Sequence, residues 1–288
     1  MRQGAVPTVR TARGREEGRV VDLRGETVES ERLVAAIRRE AEHKREAGDG
    51  GVTVDCPIPR AVHDHVGWVR PSMGVRVRTA LAAAARSRGG DAPQDDELAA
   101  VRDELADLTR PSSPDLRAPR ERVAGTDAAV ERVRERVAAL RGRVQAGREA
   151  GRDVTDLEDE LAEAMRELSE RETERTAARE ALERAERRAR ESRDARERRR
   201  RLEDRRANLE RCARAHLVER IREEYETALA AVPGRAEQVD DPLTAGGVTA
   251  ALAVARVADL RAPVVLDCDR FERPSAAATW LDAAVVRV

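Results

Sequence analysis

The feature that most constrains the fold is a stretch from Asp153 to Ala231 that contains no proline. Early in it, apolar side chains recur at alternating steps of three and four residues, the a and d spacing of a coiled coil. They are Val154, Leu157, Leu161, Ala164 and Leu168. Between Glu183 and Arg206 arginine and acidic residues dominate, so intrinsic propensity and i,i+4 ion pairs are predicted to hold this part helical. A helix this long cannot bury itself, so it either pairs with another helix or stands in water.

The composition agrees with long solvated helices and a thin core. Charged residues make up 39% of the 288-residue chain and aromatic residues 1%, whereas globular domains average roughly a quarter charged. The net charge of -1 indicates neither a nucleic acid nor a membrane as a partner. No apolar run is long enough to cross a bilayer, and three widely spaced cysteines without a CxxC pair favour a reducing compartment. Cytoplasm is therefore the predicted location.

A second heptad run precedes the first and is its predicted partner. Its apolar positions are Leu98, Val101, Leu105, Leu108, Val123, Val130, Val133, Val137, Leu140 and Val144, with an interruption at Pro111, Pro114 and Pro119. Gly147 and Gly151 bracket a turn between the two runs. We therefore predict an antiparallel coiled-coil hairpin over 93–231 with its apex near 147–151. A parallel homodimer through the same heptads is the alternative that the sequence leaves open.

The two ends of the chain have the alternating helix and strand pattern of a small α/β domain. The predicted strands are 6–9, 19–23, 52–56, 62–69, 263–268 and 284–288, and the predicted helices are 29–47, 75–88, 245–260 and 275–282, the last capped by Ser275. The rest of 1–18 is expected to be a loose lead-in. The predicted domains are an N-terminal half over 1–92 and a C-terminal half over 232–288. The fold class is thus an α-rich α/β protein, in which the coiled-coil hairpin joins two halves of a small α/β head.

One segment of the C-terminal half has a pattern seen in nucleotide-binding proteins. The turn Leu243-Thr244-Ala245-Gly246-Gly247 opens a helix, and the apolar run Val264-Val265-Leu266 then ends in Asp267. This order resembles the C-terminal head half of the Rad50 and SMC family. The resemblance implies a split ATPase head in which Gly246 and Gly247 lie at a phosphate and Asp267 holds magnesium.

The sequence departs from that family at the residues that perform its chemistry. No G-x-x-x-x-G-K-[ST] motif occurs, and the segment 25–30, at the place of a P-loop, has no lysine. Cys268 stands where the family carries a catalytic glutamate. Residues 75–89 and 267–288 also resemble an uncharacterised family of haloarchaeal coiled-coil proteins, which implies no function.

Three other groups of residues suggest chemistry. Asp267-Cys268-Asp269 is similar to the D-x-D of haloacid-dehalogenase-type phosphatases, but Lys44, the sole lysine, lies far before it in the chain. The second group is a set of candidate zinc ligands, Cys56, His63 and His65, with Cys212 and His216 as further candidates. Buried core residues are the simpler interpretation of that set.

The third group is the basic run Arg196, Arg198, Arg199, Arg200 and Arg201, interrupted by Glu197. It is the candidate for contact with a phosphate backbone, although a solvated helix face explains it more simply.

The function predicted from the sequence is that of a non-enzymatic structural or scaffolding protein, with chromosome maintenance or DNA repair as its expected context. Its expected partners are another protein or a second copy through the coiled coil, with weak, sequence-independent DNA contact. Neither a membrane nor a cofactor is expected. The alternative is a divergent nucleotide-binding ATPase head that uses Asp267.

Overall fold

The computed structural model describes residues 6–38, 52–108, 114–234 and 240–288. The chain divides into two compact units. The α/β unit comprises 1–100 and 206–288, and the helical unit comprises 101–205. None of the helices in the described ranges combines the length and apolarity that a membrane span needs.

Along the described chain, three strands come first, helices and strands then alternate, a run of long helices follows, and helices and strands alternate again. The strands are β1 (Thr8–Thr11), β2 (Gly14–Glu17), β3 (Val20–Asp22), β4 (Thr53–Asp55), β5 (Trp68–Val69), β6 (Val264–Leu266) and β7 (Val285–Arg287). The helices are α1 (Ser30–Arg38), α2 (His63–Val66), α3 (Val77–Ser87), α4 (Asp95–Asp107), α5 (Arg117–Glu149), α6 (Thr155–Ala230), α7 (Gly247–Val257) and α8 (Pro274–Leu281). A 3-10 turn, Pro242–Thr244, precedes α7.

A four-stranded parallel sheet in the order β3-β7-β6-β5 joins strands from the two ends of the chain. The central strands β6 and β7 are buried along their whole length. This burial fits the apolar residues Val264–Leu266 and Val285-Val286, because helices or further layers cover both faces of a parallel sheet. A separate three-stranded antiparallel sheet, β2-β1-β4, is formed by N-terminal strands alone.

The core of the α/β unit is built mainly of small aliphatic side chains. Helix α7 is apolar on nearly all sides and is buried from Ala250 to Ala255, as expected of a helix with no polar face. It packs against α3 and α8. Tyr225 of α6 is fully buried in the same core, and its hydroxyl donates a hydrogen bond to the Pro242 carbonyl at 3.0 Å.

In the helical unit, α5 and the first part of α6 share a narrow apolar seam. Val133, Val137 and Leu140 of α5 form one buried cluster with Ala164 of α6. Ion pairs flank the seam, and residue numbers rise along α5 as they fall along α6: Asp127 with Arg179, Arg134 with Glu172, Arg143 with Glu160 and Arg148 with Glu158.

Local hydrogen bonds stabilise the turn between α5 and α6. Arg152 N–H donates to the Gly147 carbonyl, and Gly151 N–H donates to the Arg148 carbonyl, the paired bonds of a Schellman motif. Gly151 has φ +65, a left-handed conformation that favours glycine. Asp153 then accepts from the Thr155 N–H at 3.0 Å, and this backbone donor lowers the pKa of the Asp153 carboxyl.

The structure confirms the α-rich α/β fold class, and it corrects several of the local predictions. Residues 62–69 do not form one strand, because His63–Val66 is a helical turn and only Trp68–Val69 pairs with β6. The predicted loose lead-in contains the hairpin of β1 and β2. Ser275 does not cap α8, which begins at Pro274 with Arg273 as its N-cap residue. The predicted helix 29–47 is described only as far as Arg38, and its remainder lies outside the described residues.

Candidate functional site at the carboxyl edge of the parallel sheet

The carboxyl ends of all four parallel strands lie along one edge of the sheet. Asp22 ends β3, Arg287 ends β7, and Asp267 directly follows β6. In open α/β sheets, ligands bind in the crevice outside this edge. We therefore treat this edge, with the loop after β6 and the start of α7, as the candidate site.

Arg287 is the most buried charged side chain of this edge. Its side chain is only 7% exposed, and Nη1 donates to the Phe271 carbonyl at 2.6 Å. Nη2 donates to Asp269 Oδ1 at 3.2 Å, although the Asp269 side chain itself is fully exposed to solvent. A buried guanidinium needs such partners because desolvation of an unpaired charge is costly. The interaction fixes the loop that follows β6.

Asp22 carries the other fixed charge of this edge. Arg24 holds it through a bidentate ion pair, with Nε to Oδ1 at 2.9 Å and Nη2 to Oδ2 at 2.7 Å. The hydrogen bonds from Arg24 lower the pKa of the Asp22 carboxyl, and the charge of Arg287 adds to this effect. Asp22 is thus an ionised carboxylate that already has a cationic partner.

Asp267 lies at this edge, and the loop that follows it is hydrogen-bonded to the first turn of α7, which begins at the Gly246-Gly247 turn. Asp267 N–H donates to the Val69 carbonyl at 2.8 Å, which fixes its backbone beyond the end of β6. Gly246 is the N-cap residue of α7, and Gly247 has φ +60. Arg270 connects the two parts, since its guanidinium donates to Thr249 Oγ1 in the first turn of α7 at 3.4 Å and to the Gly234 carbonyl.

The chemistry available at this edge is electrostatic. Burial raises the pKa of the Cys268 thiol, so this cysteine is a poor nucleophile at neutral pH. Asp269, the second carboxylate of the D-x-D pattern, is paired with Arg287. The combination of a helix N-terminus and nearby arginines is instead typical of sites that bind anions.

The candidate zinc ligands are placed by the structure in different surroundings. His63 is buried, and Nε2 donates to the Ala262 carbonyl at 2.8 Å, while burial lowers the pKa of its imidazole. Cys56 packs beside an apolar cluster, and Cys212 is exposed on α6. In the part of the chain that the structure describes, no group of three or more His, Cys, Asp or Glu side chains is arranged to hold a metal ion. Cys56, His63 and His65 are therefore not brought together as a ligand set.

The basic run on α6 lies within a network of ion pairs. Arg198 pairs with Glu104 of α4 at 2.6 Å, and Arg199 pairs with Glu203 at 3.0 Å. Arg200 and Arg201 share Glu197, at 3.0 and 3.1 Å. These hydrogen bonds lower the pKa of the Glu197 carboxyl. Most of the positive charge predicted for this run is therefore locally neutralised.

Two features of the α/β unit were not predicted from the sequence. The first is the role of Arg287, which is the single charged residue of an otherwise apolar C-terminal strand. That isolated charge was the sequence feature from which a structural role could have been predicted. A cavity of about 620 Å³ is lined by α6 residues together with Arg256, Val257, Trp280 and Asp282. None of the residues that the sequence singled out as a site lines this cavity.

The fold defines an α-rich α/β protein in which the sequence of the α/β unit is interrupted by that of the helical unit. The chain belongs to the family of unknown function DUF7856, whose model matches residues 18–285. Neither the comparison with curated proteins nor that with solved structures found a match. The family match carries no information about a likeness to Rad50 and SMC proteins.

Proposed function

We propose that this protein is a non-enzymatic scaffold, in which residues 93–231 form an antiparallel coiled-coil hairpin that emerges from a small α/β head. The observation that supports it best is the series of ion pairs between α5 and α6, with the apolar cluster of Val133, Val137 and Leu140 between them. An exposed helical pair offers a long surface for partners, and at the edge of the sheet burial raises the pKa of the Cys268 thiol.

The turn at the apex supports a hairpin within one chain over a parallel homodimer. The Schellman motif at Gly147 and Gly151 reverses the chain through local hydrogen bonds. A Cβ atom on Gly147 would lie 2.6 Å from Val154 Cγ1, so glycine permits a close approach between the two helices. In a parallel dimer, the acidic start of α6 would face its own copy, with like charges opposed.

Cysteine cross-linking tests the hairpin directly. In a background without the native cysteines, Leu140→Cys and Leu161→Cys are predicted to join within one chain when a short cross-linker is added. Arg141→Cys with Leu161→Cys is the matched control, because Arg141 is exposed on α5, and it should give little product. Cross-links found only between chains would rule out the hairpin.

The biological context that we propose is cytoplasmic, in chromosome maintenance or DNA repair, with another protein or a second copy of the chain as partner. The layout of a split head and a helical insertion supports it through its resemblance to the Rad50 and SMC family. Weak, sequence-independent DNA contact is part of this proposal, and Arg196 to Arg201 is the surface that the sequence alone suggests.

The second candidate function is nucleotide binding at the carboxyl edge. The observation that favours it is the position of Asp267 beyond β6 on the same edge as the start of α7. Magnesium-dependent binding of a fluorescent ATP analogue that disappears in Asp267→Ala, but not in the exposed control Glu272→Ala, would support this candidate. Magnesium-dependent ATP hydrolysis with the same dependence on Asp267 would refute the non-enzymatic scaffold.

A further inference from the structure

The charge of the helical unit is unevenly balanced along α6. In residues 155–180 ten carboxylates stand against four arginines, and in residues 184–201 ten arginines stand against four carboxylates. Helix α5, which lies beside the acidic part, carries nine arginines against five carboxylates. The acidic part of α6 therefore has a basic neighbour. The basic part has a positive charge surplus that its own carboxylates do not cancel, and the acidic helix α4 reaches it at Arg198, which pairs with Glu104.

Ion pairs decide where this surplus lies within residues 184–201. Arg198, Arg199, Arg200 and Arg201 each have a carboxylate partner, as described above. Upstream, Arg184 pairs with Glu180 at 3.5 Å and Arg187 with Glu183 at 3.9 Å, while Arg188 donates to the Arg184 carbonyl at 3.3 Å. For Arg190, Arg193 and Arg196, all exposed, the described ranges hold no ion-pair or hydrogen-bond partner.

These three arginines are evenly spaced on one side of the helix. At 3.6 residues per turn, steps of three residues keep them within about 120° of the circumference, and at 1.5 Å per residue they span about 9 Å. Of the two carboxylates between them, Glu191 is rotated by about 100° or more from each arginine, whereas Asp194 lies only about 40° from Arg190, its i,i+4 neighbour. Glu186 and Glu197 also lie close to the three arginines on the helix surface, but Glu186 is paired with Arg120, and Glu197 is paired with Arg200 and Arg201. Asp194 offsets part of the charge of Arg190, but within the described ranges no ion pair holds Arg190, Arg193 or Arg196, so the stripe that they form remains a cationic surface.

We propose that this arginine stripe, rather than the Arg198–Arg201 run, is the surface that contacts the phosphate backbone of duplex nucleic acid. Guanidinium groups donate in a fork that matches phosphate oxygens, and a regular row of cations fits a polymer whose charges repeat regularly. The segment has no aromatic side chain on which unpaired bases would stack. It has no asparagine or glutamine that would read base edges. Binding is thus independent of sequence and falls as salt rises.

This inference rests on the proposed scaffold function and names its partner surface. The test is a titration of a fluorescent 25-base-pair duplex at several low salt concentrations, with the full-length protein. The test variant is Arg190→Gln, Arg193→Gln and Arg196→Gln together. The matched control is Arg198→Gln, Arg200→Gln and Arg201→Gln, which removes the same charge from ion-paired positions. Glutamine has a helix propensity close to that of arginine, and circular dichroism checks that both variants remain helical.

The test variant is expected to bind the duplex about tenfold or more weakly. The slope of the logarithm of its binding constant against the logarithm of the salt concentration is expected to be shallower by about 2.7, the value for three lost phosphate contacts. The control should stay within about threefold of the wild type, because its three arginines are already held by carboxylates. The two variants have the same net charge, so a difference between them cannot come from long-range attraction. Equal losses in both variants would overturn the proposal, as would a larger loss in the control.

The identity of the partner is tested separately from the location of the surface. Absence of duplex binding by the wild type at low salt, or tighter binding of an acidic polyglutamate peptide through the same arginines, would replace nucleic acid with an acidic protein. The cross-link between positions 140 and 161 is measured without DNA. A failed hairpin with an intact effect at the arginine stripe would therefore refute the scaffold architecture and leave the binding surface in place.

Discussion

The α/β unit and the helical unit of this protein bury apolar side chains in different ways. In the α/β unit, β6, β7 and the middle of α7 are enclosed on all sides. In the helical unit, burial is confined to a seam one or two side chains wide, flanked by exposed ion pairs. The first arrangement gains its stability from apolar area removed from water. The second gains less per residue and leaves its charged faces exposed to solvent.

This difference shows how a chain with 1% aromatic residues forms a stable head. Small side chains of the alanine-rich helices fill most of the interior, and the rings of Tyr225 and Phe271 are buried among them. The helical unit does not need such a core, because helix propensity and many weak pairs supply part of its stability. Changes in the two units should therefore have effects of different size.

The largest effect is expected from Leu252→Ala in α7. Leu252 is fully buried in the α/β core, and truncation of a buried leucine costs about 2–5 kcal/mol through lost burial and the cavity left behind. Urea unfolding followed by circular dichroism measures this loss. Val20→Ala, at a strand position that is 37% exposed, is the control and should change stability little. Equal costs at the two positions would show that the core is less tightly packed than described.

A smaller loss is expected from Val137→Ala in the seam of α5. Two methyl groups are removed, at about 0.8 kcal/mol each when fully buried, so the free energy of unfolding should fall by about 1.6 kcal/mol. Val123→Ala, on the same helix at a half-buried position, is the control. If Val137→Ala cost as much as Leu252→Ala, the contrast between the two units would be wrong.

Mild acid is expected to destabilise the α/β unit through His63. Burial lowers the folded-state pKa of His63 below its ordinary value of 6.5. The unfolded chain therefore binds more protons as the pH falls below 6.5, and the free energy of unfolding falls by at most about 1.4 kcal/mol per pH unit.

The measurement for His63 is the stability of the wild type and of His63→Gln from pH 7.5 to 5.5. The variant keeps a donor for the Ala262 carbonyl and should lose this part of the pH dependence. His65→Gln, two residues away, is the control and should keep it. Identical pH profiles for the wild type and His63→Gln would contradict the assignment.

The smallest effect is expected from the exposed ion pair of Arg179 and Asp127, at 2.8 Å. A double-mutant cycle with Arg179→Gln and Asp127→Asn should give a coupling energy of about 0.2–1 kcal/mol. Salt at about 1 M should remove most of it, because the Debye length is then about 3 Å. A coupling that exceeds the cost of Val137→Ala would mean that ion pairs, and not the seam, hold these helices together.

The sequence by itself determined the features that depend on neighbours along the chain. Heptad spacing predicted α5 and α6, and Gly147 and Gly151 marked the turn between them, because helix periodicity and left-handed glycine positions are local properties. The apolar run before Asp267 likewise predicted β6. The same local reasoning failed for residues 62–69, where apolar residues suit a strand but His63–Val66 closes a helical turn.

Only the tertiary structure decided which distant residues meet. Strand β3 pairs with β7 from the other end of the chain, and this pairing places Arg287 beside Asp22 at the carboxyl edge. Likewise, composition marked Arg196 to Arg201 as the most basic run, but the ion pairs of Arg198 with Glu104 and of Arg199 with Glu203 depend on the packed helices. Which arginines keep an unpaired charge, as Arg190, Arg193 and Arg196 do within the described ranges, depends on the residues around them in space. Coulomb attraction depends on distance and not on position along the chain.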